Sequence, residues 1–329
     1  MDAIEAKDRR DGLVAGLVSY VTWGFFPLYL ILLWGVHPLE IVAHRVVWAV
    51  AVMLVIMAVT RQWGALLRAL ADRVSRNRLA VASALIGVVW FFYAYGALTG
   101  RAVDVALGYF ICPLVTILLA VVVNRERLRP AQWVSAGIGA VAVVVVTVGY
   151  GKLPWISVTV ALAFGLYSLV KNRVGRGVTP TVGLTVESLL LVPFAAVTVV
   201  AMSLAGTATF AGDGWDVTDL FLVLSGPMTM FPLLTFAAAA NRLPLSLLGN
   251  LQYLNPALQL VSAVLVLQED MPVARWAGFG LVWVSLLVLV VDGARAGARA
   301  RAGRPQPAGA PEESEAQGPG RPPTHRALA

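Results

Sequence analysis

EIVAHRVVWAVAVMLVIMAV, residues 40–59, carries His44 and Arg45 near its start, and no further charge follows until Arg61. About 20 apolar residues is the length of a helix that crosses a bilayer. An arginine inside such a stretch costs about 2.5–3.5 kcal/mol on insertion scales. If Pro38 opens the helix, Arg45 lies about 10 Å deep at 1.5 Å per residue. A cation at that depth either snorkels back to headgroups or faces a polar cavity between helices. There it would attract an anionic or zwitterionic solute or pair with a carboxylate.

The rest of the chain has the same character. Of 329 residues, 59% are apolar and 13% charged, against roughly 25% charged for a soluble domain, and the mean hydropathy is +0.78. Apolar windows predict ten spans, at 12–34, 38–60, 79–99, 105–123, 131–149, 155–170, 180–203, 219–240, 246–267 and 275–292. Residues 1–11 are charged, so no cleavable leader is expected. The single Cys112 makes no intrachain disulfide framework. Of the 25 Lys and Arg, 21 fall on one side of these spans, three (Arg101, Lys152, Arg275) on the other, and Arg45 within. The positive-inside rule then puts both termini in the cytoplasm. The +7 charge is a topology signal and not a nucleic-acid surface, since no basic face interleaved with aromatics appears. From Gly293 the composition turns to Ala, Gly, Pro, Arg and Glu, which predicts a disordered cytoplasmic tail over 293–329.

An internal repeat organises the spans. YFICPLVTILLAVVVNRERLRPAQWVSAGIG (109–139) aligns with QYLNPALQLVSAVLVLQEDMPVARWAGFGLV (252–282). Pro113 meets Pro256, Glu126 meets Glu269, Trp133 meets Trp276 and Gly137 meets Gly280, each at an offset of 143. Five spans is an odd number, so the second copy enters the membrane from the opposite face. The expected fold is all-α, with ten transmembrane helices as two inverted five-helix repeats, 12–149 and 150–292. Inverted repeats are the architecture of many secondary transporters. The same offset carries His44 onto Glu187, the other ionisable group well inside a span.

Candidate solute-binding residues are Arg45, His44 and Glu187, with Trp23, Tyr29, Trp90 and Tyr93 supplying rings. Arg45 and Glu187 are equally deep from opposite faces, so they are expected as two walls of one cavity and not as a direct pair. Glu187 suits a coupling proton or a structural hydrogen bond; His44 suits solute binding or bracing of Arg45. Pro27, Pro113 and Pro256 interrupt helices, the last two symmetrically, and are candidate hinges. Aromatic rings also anchor helices at interfaces, so no single ring decides the matter. No H-E-x-x-H, G-x-S-x-G or P-loop is present, and His37, His44 and His325 have no zinc spacing. Neither an enzyme, a metal site nor a cofactor is expected; a non-transporting sensor or scaffold is the alternative. Homodimerisation is left open.

Several motifs resemble the RarD family, an EamA-type branch of the drug/metabolite transporter superfamily. They are W-G-x-x-P-x-Y (Trp23 to Tyr29), E-I-x-x-H-R-x-x-W (Glu40 to Trp48) and L-G-Y-F-I-x-P-L (Leu107 to Leu114). E-R-L-R (Glu126 to Arg129), the Glu187 helix with L-L-x-P, and R-L-x-L-S-x-L-G-x-x-Q-Y (Arg242 to Tyr253) complete the set. The resemblance covers about residues 10–292. It implies an inner-membrane carrier of small organic solutes, in a group that includes chloramphenicol-sensitivity proteins. Ile31, Val89 and Cys112 stand where the group commonly has lysine and two asparagines, which implies a less polar solute here.

Overall fold

The computed structural model describes residues 3–124, 130–151, 153–174, 178–212, 214–240, 242–243 and 251–302. Glu126, Arg176, Lys152 and the tail beyond Ala302 lie outside these. Every regular element among the described residues is a helix. In chain order they are α1 (Ala3–Gly24), α2 (Phe26–Ile31), α3 (Pro38–Thr60), α4 (Trp63–Ala71), α5 (Arg73–Leu98) and α6 (Ala102–Asn124). There follow α7 (Pro130–Tyr150), α8 (Trp155–Val174), α9 (Pro180–Leu204), α10 (Val217–Ala240), α11 (Leu254–Val261) with a π turn (Ser262–Val266), and α12 (Val273–Ala302). Six described segments are long and apolar enough to cross a membrane: within α3, α5, α7, α9, α10 and α12. Shorter apolar stretches occupy 102–116, 155–171 and 254–266.

Local chemistry sets the boundaries. Proline stands at the first position of both α3 and α9, where its missing N–H would have no partner anyway. His37 Nδ1 accepts from Leu39 N at 3.2 Å and Thr179 Oγ1 from Val182 N at 3.4 Å. Asp72 caps α5, accepting from Val74 N and Ser75 N at 3.3 and 3.0 Å.

Three expectations change. The first span is broken at Phe25, because Pro27 cannot donate to the carbonyl of Trp23 four residues back; α2 restarts the helix. The stretch 61–78 is not a simple loop, since WGALLRALA forms α4, burying Leu66 and Ala69 against neighbours. Residues 293–302 continue α12, in keeping with the high helix propensity of Ala and Arg.

Cross-links show which ends meet. Arg242 pairs with Asp8 at 3.1 Å, Thr179 Oγ1 donates to Gln62 Oε1 at 3.2 Å, and Arg78 donates to the Arg173 carbonyl. These mark one end of the bundle, the terminus end. At the far end Ser157 Oγ donates to the Asp104 carbonyl at 2.6 Å, and Arg275 pairs with Asp104 at 3.3 Å. Glu269 accepts from Ala102 N and Val103 N at 2.6 and 2.9 Å, a charged cap at the start of α6. Helix α3 packs on α9 and α10, α1 on α10 and α11, α8 on α5 and α6, and α12 on α7. Gly226 on α10 sits so close to the backbone of Trp48 on α3 that a β-carbon there would collide with it.

Candidate functional site

Helices α1, α2, α3, α5, α6, α8, α9, α10 and α11 line a cavity of about 390 Å³. Nine aromatic side chains line it, with charge at two places.

Arg45, on the second turn of α3 from the far end, is 5% exposed. Its guanidinium lies over Phe26 at 4.7 Å and Trp90 at 4.5 Å from the ring centroids. Such faces attract a cation but carry no charge to neutralise it. Nε is buried with no hydrogen-bond partner, and among the described residues no carboxylate pairs with it. The break at Phe25 contributes here. The Trp23 carbonyl released by Pro27 accepts from Tyr93 Oη at 3.2 Å, joining α5 to α1 beside the arginine.

Glu187, on the second turn of α9 from the terminus end, forms the other charged region. Its Oε1 receives Lys171 Nζ at 2.6 Å and its Oε2 receives Tyr167 Oη at 3.1 Å. The pair is largely sheltered, with the lysine side chain 28% and the glutamate 4% exposed. Gly183, one turn earlier, leaves room: a β-carbon there would lie 3.2 Å from Lys171 Nζ. Ser83 Oγ donates to the Glu187 carbonyl at 2.7 Å, tying α5 to α9.

Of the residues singled out in the sequence, Arg45, Glu187, Trp23, Trp90 and Tyr93 line the cavity together. His44 and Tyr29 do not. The His44 ring packs at a tilt against Phe210, with centroids 4.4 Å apart, and its Nδ1 is buried and unpartnered, turned from the cavity towards the connection between α9 and α10. Tyr29 donates to the Phe221 carbonyl and belongs to the apolar cluster with Leu30, Leu33, Ile41 and Leu222. That cluster seals the far end beyond Arg45. Among the hinge candidates, Pro27 follows a real break, Pro113 lies within continuous α6, and Pro256 is buried near the start of α11 after a turn at Tyr253. Lys171 is not among the sequence candidates, because it falls one residue past the predicted span 155–170. Its signal was periodic: Phe164, Tyr167, Ser168 and Lys171 share one helical face, and all four line the cavity. Gln259 was missed too; its Nε2 donates to Asn255 Oδ1 at 2.8 Å, leaving Oε1 buried and unpartnered.

A multi-span helical bundle around a charged, aromatic cavity is the build of a small-molecule transporter. The profile of the EamA-like transporter family matches residues 10–148. Protein RarD of Streptomyces exfoliatus is 40% identical over 296 residues, covering 90% of this chain and 93% of that protein. Protein RarD of Escherichia coli (strain K12) is 34% identical, covering 88% and 97%. A solved crystal structure matches with a TM-score of 0.57 at 19% identity, over 85% of this chain and 97% of that one, a likeness of fold. The chain belongs to the RarD family of EamA-like transporters. It is a multi-pass inner-membrane transporter.

Proposed function

We propose that this protein is a secondary carrier of small organic solutes, working by alternating access between two inverted five-helix repeats, 12–149 and 150–292. In this reading α1 with α2, α3, α5, α6 and α7 correspond to α8, α9, α10, α11 and α12, ten spans in all. The packing supports it. Helix α1 lies on α10 and α11 as α8 lies on α5 and α6, while α3 meets α9, α6 meets α11 and α7 meets α12. An in-plane two-fold axis generates such reciprocal contacts.

The observation that carries the assignment is Arg45, a buried cation in a cavity wall with no acid partner among the described residues. A lone charge there is costly and is offset when a solute's negative group docks on it. The arginine tally makes the terminus end cytoplasmic. Lining residues run from exposed Gln252 and partly exposed Lys171 to buried Arg45, which supports a conformer open to the cytoplasm. Glu187 holds Lys171 in one state and is free to exchange a proton when the repeats trade shapes. His44, beneath the far-end connection, braces the arginine turn.

A thermal-shift panel of metabolites and amphenicols, followed by counterflow of radiolabelled hits in proteoliposomes, tests the reading. Exchange that is lost in Arg45→Gln at normal membrane abundance is expected. Binding without exchange for every hit would instead favour a sensor.

A further inference from the structure

From the charge balance of the cavity we infer that its solute is an aromatic monoanion bearing a hydrogen-bond donor; the inference rests on the carrier reading above. Among the described lining residues only Arg45, Lys171 and Glu187 are ionic. Lys171 and Glu187 neutralise each other at 2.6 Å, and Tyr167 occupies the second carboxylate oxygen. What remains is one positive charge, on Arg45.

Each solute class meets this remainder differently. A cation would face Arg45 with no available acid. A zwitterion would have to take Glu187 from Lys171, exchanging one buried pair for another. A dianion would leave one charge uncompensated, and a neutral solute would leave Arg45 unpaired. A monoanion alone brings the cavity to neutrality, with its charge beside the Arg45 guanidinium in the cavity wall.

The body of the solute follows from the walls. Trp23, Trp90, Tyr93, Tyr109 and Phe164 line it, and aromatic walls favour a flat aromatic partner over an aliphatic one. A separate observation specifies one polar feature more. Gln259 is 2% exposed, and its amide nitrogen is committed to Asn255. Its oxygen is a buried acceptor without a donor, which an N–H or O–H on the solute would satisfy once a turn of this cavity-lining side chain brings it to the solute.

Indole-3-acetate has all three features, and its relatives change one at a time. The full chain in nanodiscs would be titrated calorimetrically with indole-3-acetate, indole-3-acetamide, tryptamine, tryptophan and 1-methylindole-3-acetate. The acetate is expected to bind at least about tenfold tighter than the amide, amine or amino acid, and several-fold tighter than its N-methyl form. Arg45→Gln should abolish the preference for acetate over acetamide, while Arg45→Lys keeps it. Lys171→Met, which releases Glu187, should move the preference towards tryptophan. Equal or tighter binding of the acetamide, tryptamine or tryptophan overturns the inference, as does failure of every member to bind at about 1 mM. A preference that survives in Arg45→Gln overturns it as well. Counterflow of labelled indole-3-acetate separates the two readings. Ordered binding without exchange removes the carrier and keeps the anion site. Exchange of tryptamine or tryptophan in preference to the acetate does the reverse.

Discussion

Glu40→Ala should unfasten the far end of the bundle. Glu40 is 1% exposed and accepts from Thr209 N at 2.8 Å, Thr209 Oγ1 at 2.6 Å and Phe210 N at 3.0 Å. These bonds hold the connection between α9 and α10 over His44, on which Phe210 packs. A hydrogen bond to a charged group contributes about 1.5–3 kcal/mol. Three bonds on one carboxylate are not additive, and the connection can escape into water. Asp219, accepting from Ala211 N at 2.9 Å and Asp216 N at 3.1 Å, still holds the segment's other half. The local loss is therefore about 3–4 kcal/mol, or two to three orders of magnitude in opening at about 1.4 kcal/mol per decade. Native-state hydrogen exchange reads this at Thr209 and Phe210. In Glu40→Gln the amide oxygen can accept both backbone N–H groups and the amide nitrogen can donate to Thr209 Oγ1. Only the charge assistance goes, and exchange should rise about tenfold. If Glu40→Ala leaves both amides as protected as in the wild type, the latch argument fails.

Lys171→Met strands the Glu187 carboxylate and should lower stability by the lower end of about 3–5 kcal/mol, since the lysine is partly exposed. Adding Glu187→Gln should recover most of the loss in thermal melts; no recovery would mean that the pair is not the cause. Gly226→Ala forces α10 away from the Trp48 backbone and should cost about 1–3 kcal/mol. Gly137→Ala and Gly280→Ala, where a β-carbon meets nothing within 4 Å, should be neutral or stabilising in the same melts. The Asp72 carboxyl is held below the usual carboxylate range, chiefly by the Ser75 hydroxyl and then by the Ser75 and Val74 amides. A depressed native value means the cap's contribution is full above the unfolded carboxylate range and is lost as pH falls through the native value. Protection at Val74 and Ser75, measured relative to intrinsic exchange at each pH, should therefore fall on acidification, and Asp72→Ala should remove that dependence.

Helix boundaries were legible wherever one residue's chemistry fixes them. Pro38 and Pro180 could only begin helices, and the hydropathy between them and Thr60 or Leu204 could only end at the water. Arg45 was legible as an anomaly for the same reason, because lipid makes a mid-span cation conspicuous. What escaped depended on direction more than composition. Lys171 looks like an ordinary loop cation by sequence position, and only the helical phase shared with Tyr167 turns its ammonium inward towards Glu187. His44 and Arg45 are neighbours in sequence, yet successive residues on a helix point about 100° apart. Composition cannot say which of the two faces the cavity.

That 100° also gives the adjacent pair separate tasks. Arg45 reaches Phe26 and Trp90 in the cavity, while His44 packs on Phe210 under the far-end connection, one turn beyond its anchor Glu40. A single turn of α3 thus touches both the cavity proposed to hold the solute and the far-end connection. Any rotation of that turn which brings Arg45 onto a bound anion must also slide His44 across Phe210. Occupancy of the cavity and hold on the closure are therefore mechanically joined, with no further relay between them. Saturating indole-3-acetate should accordingly change exchange protection at Phe210 in the wild type but not in Arg45→Gln. Protection that ignores the ligand would mean that the two faces of the turn act independently.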